Sequence, residues 1–403
     1  MISQNGESQS AKAGETSAPD MPESDQQQVA ELAHDLLMVG QTPPPYYGQA
    51  VATGILFEHE WTRIRVSCLR MNYSKSGDEV GKAGVGKLVS LVKLVVRTWK
   101  ELRNQRAPVL YYLPASPHFV PVLRDIVYLA LVRPFAVGTI YHFHAGGLAD
   151  YLASHRVLGV LARLAYGRPR LAIEIAESAT GVGEYLGAAS GVIIRNGLEV
   201  PAPVARASRN NGVLTGLFVG SLRESKGIFD ILRLVRALAD RDVPVRIELA
   251  GVWVSEDERI RFDQEFSKLD LGDRVVLLGE LVGESKWQAF QRADFFCFPS
   301  FYESENFPLV LIEALGSGLP VVATRWRGIP EVVDEGSNAI LCETHDIDGF
   351  ADAIERLHVT PEMRQSMSGA ARSAYLSQYT REIYCENMEC ALVKALESEG
   401  GPS

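Results

Sequence analysis

Two carboxylates, Glu305 and Glu313, stand eight residues apart in the segment 298–324, FPSFYESENFPLVLIEALGSGLPVVAT. An apolar strand pattern ends at Pro299, a polar loop follows, and a helical pattern begins near Phe307. Glu305 then sits just before the helix and Glu313 about two turns into it. At about 1.5 Å per residue the pair is ~12 Å apart along a helix, comparable to the span from sugar hydroxyls to ribose in a nucleoside diphosphate sugar. Between them the helix start offers free N–H groups and partial positive charge to a pyrophosphate. The ordinary alternative is a capping acid at Glu305, drawn by the helix dipole, and a surface residue at Glu313. The strand-loop-helix context, with Gly-Ser-Gly-x-Pro-Val-Val after it, favours a ligand.

A second cluster, Tyr141-His142-Phe143-His144-Ala145-Gly146-Gly147, ends another strand pattern, the edge at which open parallel sheets bind ligands. Strand alternation puts His142 and His144 on one face and Phe143 on the other. His142 reads as a satisfied core histidine. Two His at this spacing could also hold a metal, but no third ligand lies nearby in the sequence. Residues 81–88, GKAGVGKL, come within one residue of the phosphate loop G-x-x-x-x-G-K-[ST]. Leu88 replaces the metal-binding hydroxyl, and residues 72–79 are not the buried strand that such a loop requires.

These residues need elements to place them. Short apolar runs alternate with helical patterns along the whole chain, the signature of doubly wound α/β architecture. Strands are expected at 64–69, 109–113, 137–142, 171–175 and 191–194, and again at 216–219, 245–250, 275–278, 295–299 and 321–323. Helices are expected at 88–104, 156–166 and 382–397, the last after a broken stretch at 374–380. A Pro-, Ala- and Asn-containing stretch at 201–211 reads as the linker between two such units. The expected division is a disordered tail over 1–28, a first domain over 29–203, a second over 204–376, and a final helix over 377–403 crossing back to the first. The tail is polar and lacks the apolar core of a signal peptide.

At 403 residues, 46% hydrophobic and 22% charged, the chain has the composition of a globular protein with two cores. Its five cysteines are dispersed, which argues against a disulfide framework or zinc cluster and fits a reducing compartment. Four of them have apolar neighbours in sequence and read as buried. The net charge of −10 is uneven: residues 29–200 carry 18 basic and 13 acidic side chains, and residues 201–403 carry 21 and 32. The acidic second half disfavours nucleic acid. In the first half, Lys82, Lys87, Lys93, Arg97, Lys100, Arg103 and Arg106 recur through an apolar helical pattern around Trp99, with Glu101 the one acid. Such a helix either lies on anionic lipid or packs on its own sheet; the charge asymmetry favours lipid.

The segment around Glu305 and Glu313 resembles the E-x7-E signature of the family-4 retaining glycosyltransferases. Gly328-Ile-Pro-Glu331-Val-Val is similar to that family's G-x-P-E-V-V, and Phe218-Val-Gly-Ser-Leu-Arg-Glu-Ser-Lys-Gly227 to its G-R-L-x-x-x-K-G. Asn196-Gly197 matches the pair that closes its first domain. The resemblance is good over 190–350 and loose before it. It implies the GT-B fold, two Rossmann-like doubly wound α/β domains facing a central cleft. It places Glu305 on the donor sugar, Glu313 on the ribose and Lys226 on the diphosphate, with the backbone of Asn306, Phe307 and Leu309 toward phosphate. Gly220 and Gly227 admit close backbone approach, Gly279 lies where the base sits, and His144 contacts the donor sugar. Of the family's Gly-Gly loop over the phosphates, Gly48 remains. Ser221 replaces the usual Arg, and Arg223 stands two residues on.

The expected activity is transfer of a hexose, with retention, from a UDP- or GDP-linked donor to a hydroxyl acceptor such as a lipid-linked saccharide in polysaccharide assembly. No metal or cofactor beyond that co-substrate is implied. The expected location is the cytoplasm, with peripheral contact to an anionic membrane surface at the inner face of the cell membrane. An inactive nucleotide-sugar-binding module, or a sugar-nucleotide epimerase, would fit the same motifs.

Overall fold

In the computed structural model, which describes residues 35–44, 46–71, 85–105, 108–203 and 212–398, two parallel sheets carry the chain. The first contains β1 (Asp35–Gly40), β2 (Arg65–Arg70), β3 (Val109–Tyr112), β4 (Gly138–Phe143), β5 (Leu171–Glu174) and β6 (Gly191–Ile193) in the order β2-β1-β3-β4-β5-β6. Helices α1 (Gly48–Phe57), α2 (Val85–Asn104), α3 (Phe119–Val132), α4 (Leu148–Ser154), α5 (Arg156–Tyr166) and α6 (Val182–Leu186) connect them. Alternate strand residues feed opposite faces. Leu37, Val39, Leu110 and Tyr112 pack with α2, α3 and α5, while Leu36, Met38 and Tyr111 pack with α1.

The second sheet has the order β12-β11-β10-β7-β8-β9. Its strands are β7 (Leu214–Val219), β8 (Val245–Ala250), β9 (Val275–Gly279), β10 (Phe295–Phe298), β11 (Val321–Thr324) and β12 (Ala339–Cys342). Between and after them run α7 (Ile228–Asp240), α8 (Glu256–Leu269), α9 (Glu284–Arg292), α10 (Leu309–Gly316), α11 (Ile329–Val332), α12 (Ile347–Val359), α13 (Pro361–Gln378) and α14 (Arg381–Glu397). The strand order reverses between β1 and β3 in the first sheet and between β7 and β10 in the second. At such reversals the connections leave to opposite faces and open a crevice beyond the carboxyl ends of the strands.

Helix α14 returns to the first unit. Tyr384, Cys385, Met388 and Leu392 enter the core on the α1 side of the first sheet. The carboxylate of Glu389 accepts from the backbone N–H groups of Thr62 and Arg63, each at 2.7 Å.

Several expectations change. Neither β1 nor β12 was expected: a run such as DLLMVG, buried throughout, has no period to separate strand from helix. Helix α13 continues to Gln378, so the break is confined to Tyr379 and Thr380 rather than 374–380. Three cysteines are buried, but Cys68 and Cys390 are exposed, because Cys68 lies on the edge strand β2 and Cys390 on the outer side of α14. The tail over 1–28, the phosphate-loop-like residues 81–84 and most of the linker lie outside the described residues. No helix among the described residues is long and apolar enough to cross a membrane.

Burial of Glu389 opposes its ionisation, but the N–H groups of Arg63 and Thr62, the Arg63 charge and the Thr62 hydroxyl together hold its pKa below the ordinary 4.5. A depressed folded-state pKa means that its contribution is complete above the ordinary value and is lost as pH falls through the lower folded one. Glu389→Ala should therefore destabilise the fold by roughly 1.5–3 kcal/mol at neutral pH. The difference from native should shrink below about pH 4.5. Denaturant unfolding at neutral and acidic pH reads both effects.

Candidate active site

At the β7–β10 reversal two loops meet. After β7 the chain runs through Gly220, Ser221 and Arg223 into a single 3₁₀ turn, Glu224–Lys226, and then α7. Gly227 joins the turn to α7 with φ of +78°, and a Cβ there would lie 2.2 Å from the carbonyl oxygen of Pro299. Only glycine permits that approach. It brings Lys226 beside the loop after β10, where its ammonium pairs with Oε2 of Glu305. The Ser300 hydroxyl donates to the same oxygen at 2.7 Å. Glu305 is buried, so its charge has been withdrawn from water and is held by these two partners.

Aromatic rings line this pair. Nζ of Lys226 lies 5.0 Å from the ring centre of Tyr302 and 5.4 Å from that of Phe298. The Arg223 guanidinium lies 4.9 Å from the centre of the Tyr302 ring, and its Nε is buried without a protein hydrogen-bond partner. Trp326 donates to the Tyr302 carbonyl at 2.8 Å and fixes the loop from its far side. Ser221 is half-buried beside Arg223, so a cationic group is present two residues past the substituted position.

Helix α10 begins at Leu309, not near Phe307. Pro308 is its N-cap, and a proline disfavours helical geometry in the residue before it. Glu313 is consequently only about one turn into the helix, and the ~12 Å helical span does not apply, because residues 305–308 are irregular. Among the described residues, the N–H groups of Asn306, Phe307 and Leu309 reach no backbone acceptor. Phe307 itself is a core residue packed near Tyr379.

Glu313 points to a different partner, Lys286 of α9, whose Nζ lies 2.5 Å from Oε1. Burial pushes the Glu313 pKa up, and Lys286 opposes the shift. Nothing in the sequence pattern marks Lys286, which is one lysine among polar residues on α9. Gly279 ends β9 with φ of +71° and open space at its Cβ position, and its carbonyl accepts from Gly251 N–H at 2.8 Å. Gly220, Gly251 and Gly279 thus follow one another along the carboxyl edge of β7, β8 and β9.

The first domain faces this edge. Past β4 the His144 carbonyl accepts from Asn306 Nδ2 at 3.4 Å. The rings of His142 and His144 are 4.2 Å apart, and Tyr111 hydroxyl and His142 Nδ1 are 2.6 Å apart. Burial lowers the His144 pKa to about 3, and burial together with His144 drives His142 well below its ordinary range. Both are neutral at neutral pH. Nε2 of His144 is buried without a protein partner. Gly48 opens α1 against the Leu309 side chain, with Cδ1 3.7 Å from the position of a Cβ. No group of three His, Cys, Asp or Glu side chains among the described residues converges as a metal site would.

Glu331 adds a second polar bridge between the domains, besides the Asn306 contact to His144. Its carboxylate accepts from Glu177 N–H at 2.6 Å and Ser178 N–H at 2.7 Å. Beside it, on the first domain, a cavity of about 540 Å³ is lined by Gly147, Asp150, Arg163, Ser178, Thr180 and Tyr185 among others.

Two six-stranded parallel sheets whose switch points face a shared cleft define the GT-B fold. Residues 206–374 match the family described as glycosyl transferases group 1. Over 175 residues the chain is 33% identical to D-inositol 3-phosphate glycosyltransferase of Corynebacterium diphtheriae, covering 43% of this chain and 40% of that one. The match thus spans about two fifths of the curated relative. Among solved structures, sucrose-phosphate synthase from Thermosynechococcus elongatus superposes with a TM-score of 0.67 at 17% identity, covering 90% of this chain and 98% of the other. Anabaena HepE in complex with UDP and glucose gives 0.64 at 15% identity, covering 89% and 98%.

Glu331→Ala removes two charge-assisted hydrogen bonds across the domain boundary, each of a kind contributing about 1.5–3 kcal/mol. The domains should separate more readily while each keeps its own core. Solution scattering should show a larger radius of gyration than native, with an unchanged far-ultraviolet circular dichroism spectrum.

Proposed function

We propose that the chain is a hexosyltransferase that takes a UDP- or GDP-linked sugar in the cleft and transfers the hexose, with retention, to a hydroxyl of an acceptor. The observation that carries this reading is the pairing of Lys226 with buried Glu305 at the switch point of the second sheet. It supplies a cation for phosphate and a carboxylate for sugar hydroxyls within one contact. A UDP-and-glucose complex of the HepE neighbour, which shares the fold, is in keeping with such a donor.

In this reading the diphosphate lies against Lys226, Arg223 and the N–H groups ahead of α10. As the glycosidic bond lengthens, negative charge grows on the leaving phosphate, and these groups stabilise it without reorganisation. Arg223, whose Nε lacks a protein partner, takes over from the arginine that Ser221 replaces. Glu305 and His144 orient the sugar; His144 stays neutral, so it acts by hydrogen bonding rather than by charge. Glu313 binds the ribose hydroxyls and exchanges part of its contact with Lys286 on doing so. No protein nucleophile or metal takes part. The acceptor enters the cavity beside Ser178 and Tyr185, where Asp150 and the hydroxyls of Ser178 and Thr180 suit a polyhydroxylated group. The acceptor is a lipid-linked saccharide of polysaccharide assembly, met at the inner face of the cell membrane.

Incubation with UDP- and GDP-hexoses and an acceptor panel tests the reading, followed by nuclear magnetic resonance of the product anomer. Release of nucleoside diphosphate together with a retained anomer is expected. Donor binding without release would point to an inactive binding module, and interconversion of donor sugars without acceptor to an epimerase.

Glu313→Ala should weaken donor binding by roughly 1.5–3 kcal/mol with the fold intact, since alanine is tolerated in a helix. Calorimetry that finds unchanged affinity removes the ribose role.

Lys226→Ala should reduce kcat more than it raises KM, because the charge matters most as the diphosphate departs. Ser221→Arg in the native background should tighten donor binding. No tightening would mean that Arg223 already fills the phosphate position or that the site is built otherwise.

A further inference from the structure

We infer that α2, α3 and α5 together form one face that lies on an anionic bilayer. The inference rests on the lipid-linked acceptor reading for its purpose, and on the three helices for its substance. They stand side by side, α2 against α3 and α3 against α5, and all three bury one side on the same face of the first sheet. Their other side is exposed and carries large apolar side chains. On α3, Phe119, Val120, Leu123, Val127 and Leu131 are exposed, while Val122, Ile126, Leu129 and Val132 face the core. On α5, Val157, Val160, Leu161 and Leu164 form an outward stripe at helical spacing. A helix apolar all round belongs in a core or in contact with lipid. More than half of the exposed large apolar side chains among the described residues lie on these three helices, far more than scattered surface exposure produces.

Charge says what covers the face. Lys93, Arg97, Lys100 and Arg103 of α2 and Arg156 and Arg163 of α5 are exposed. The acids on the three helices are Glu101, half-buried, and Asp125, buried. A face with six exposed bases and no exposed acid, in a chain of net charge −10, is complementary to anionic headgroups. It would repel a second copy of itself. Apolar side chains between bases match an interfacial helix, which seats its apolar side a few ångströms into the headgroup boundary. Trp99, half-buried and donating from its ring to the Leu131 carbonyl at 2.8 Å, has the amphipathic character of interfacial aromatics. The basic helix and its own-sheet packing are therefore both present: α2 packs inward through Leu91, Leu94, Val95 and Leu102 and shows its bases outward.

The face also meets the acceptor cavity. Arg163 of α5 lines it and lies 4.4 Å from the centre of the Tyr185 ring. An acceptor anchored in the bilayer would reach the cleft along that edge.

Flotation of the full chain with phosphatidylcholine vesicles, with and without phosphatidylglycerol, at low and high salt, tests the inference. The native chain should rise with the anionic vesicles at low salt and release as salt rises, since surface attraction fades within a Debye length. Lys93→Glu, Arg97→Glu and Lys100→Glu combined should weaken binding about a hundredfold. Leu123→Ser, Val127→Ser and Leu131→Ser combined should weaken it as well, with thermal unfolding and nucleotide-sugar binding unchanged for both variants. The inference falls if the native chain does not rise at low salt, or if native and variants rise equally. It also falls if the native chain instead forms a dimer that the α3 variant abolishes. A chain that binds nucleotide sugar but not vesicles overturns the membrane face alone. One that binds vesicles but no nucleotide sugar overturns the transferase reading alone.

Discussion

Glu305 is a carboxylate taken out of water, and a buried charge is tolerated only when it is paired and hydrogen-bonded. Lys226 and Ser300 meet that requirement, and their positions fix much else. Ser300 comes from the end of β10 and Lys226 from the turn after β7, so the pair ties together the two loops that part at the switch point. The tie forms only because Gly227 lets the turn press against the Pro299 carbonyl. The loop after β10 is further held by the Trp326 contact to Tyr302, and it carries Asn306 to His144 of the other domain. A desolvated ion pair thus sets the edge against which the first domain closes.

The same economy of contacts governs the domain boundary. Glu331 holds two backbone N–H groups of the first domain, and α14 anchors itself there through Glu389. The Glu331 tie is polar, one carboxylate on paired N–H groups, whereas α14 also adds Tyr384, Cys385, Met388 and Leu392 to the first domain's core. Polar ties of this kind can break and re-form, whereas core packing resists small displacements. Such ties suit a boundary that opens and closes. More than half of the exposed large apolar side chains among the described residues lie elsewhere, on the outer side of α2, α3 and α5.

Both domains and their doubly wound character were legible from the sequence, because apolar runs of strand length alternating with helical periods leave few other architectures. The resemblance to a glycosyltransferase family was legible over the second domain, where Glu305, Glu313, Lys226, Gly227 and Glu331 stand in short motifs. Those motifs can be read locally because each lies within one strand-loop-helix unit. Helix α10 starts two residues after the apolar pattern does, because Pro308 restricts Phe307 to non-helical geometry while Phe307 still packs in the core. The strand β1 was missed for lack of any period.

What the tertiary structure alone decided is what meets across sequence distance. Lys286 reaches Glu313 from a helix 27 residues away, and Glu331 finds its partners 154 and 153 residues back. The outer faces of α3 and α5, ordinary core helices by composition, are exposed because the sheet has only two sides and each helix presents just one of its own to it. Local chemistry and periodicity are written in neighbouring residues and can be read there. Partnership between distant loops, and the side of a helix left uncovered, depend on how layers stack, which no local pattern encodes.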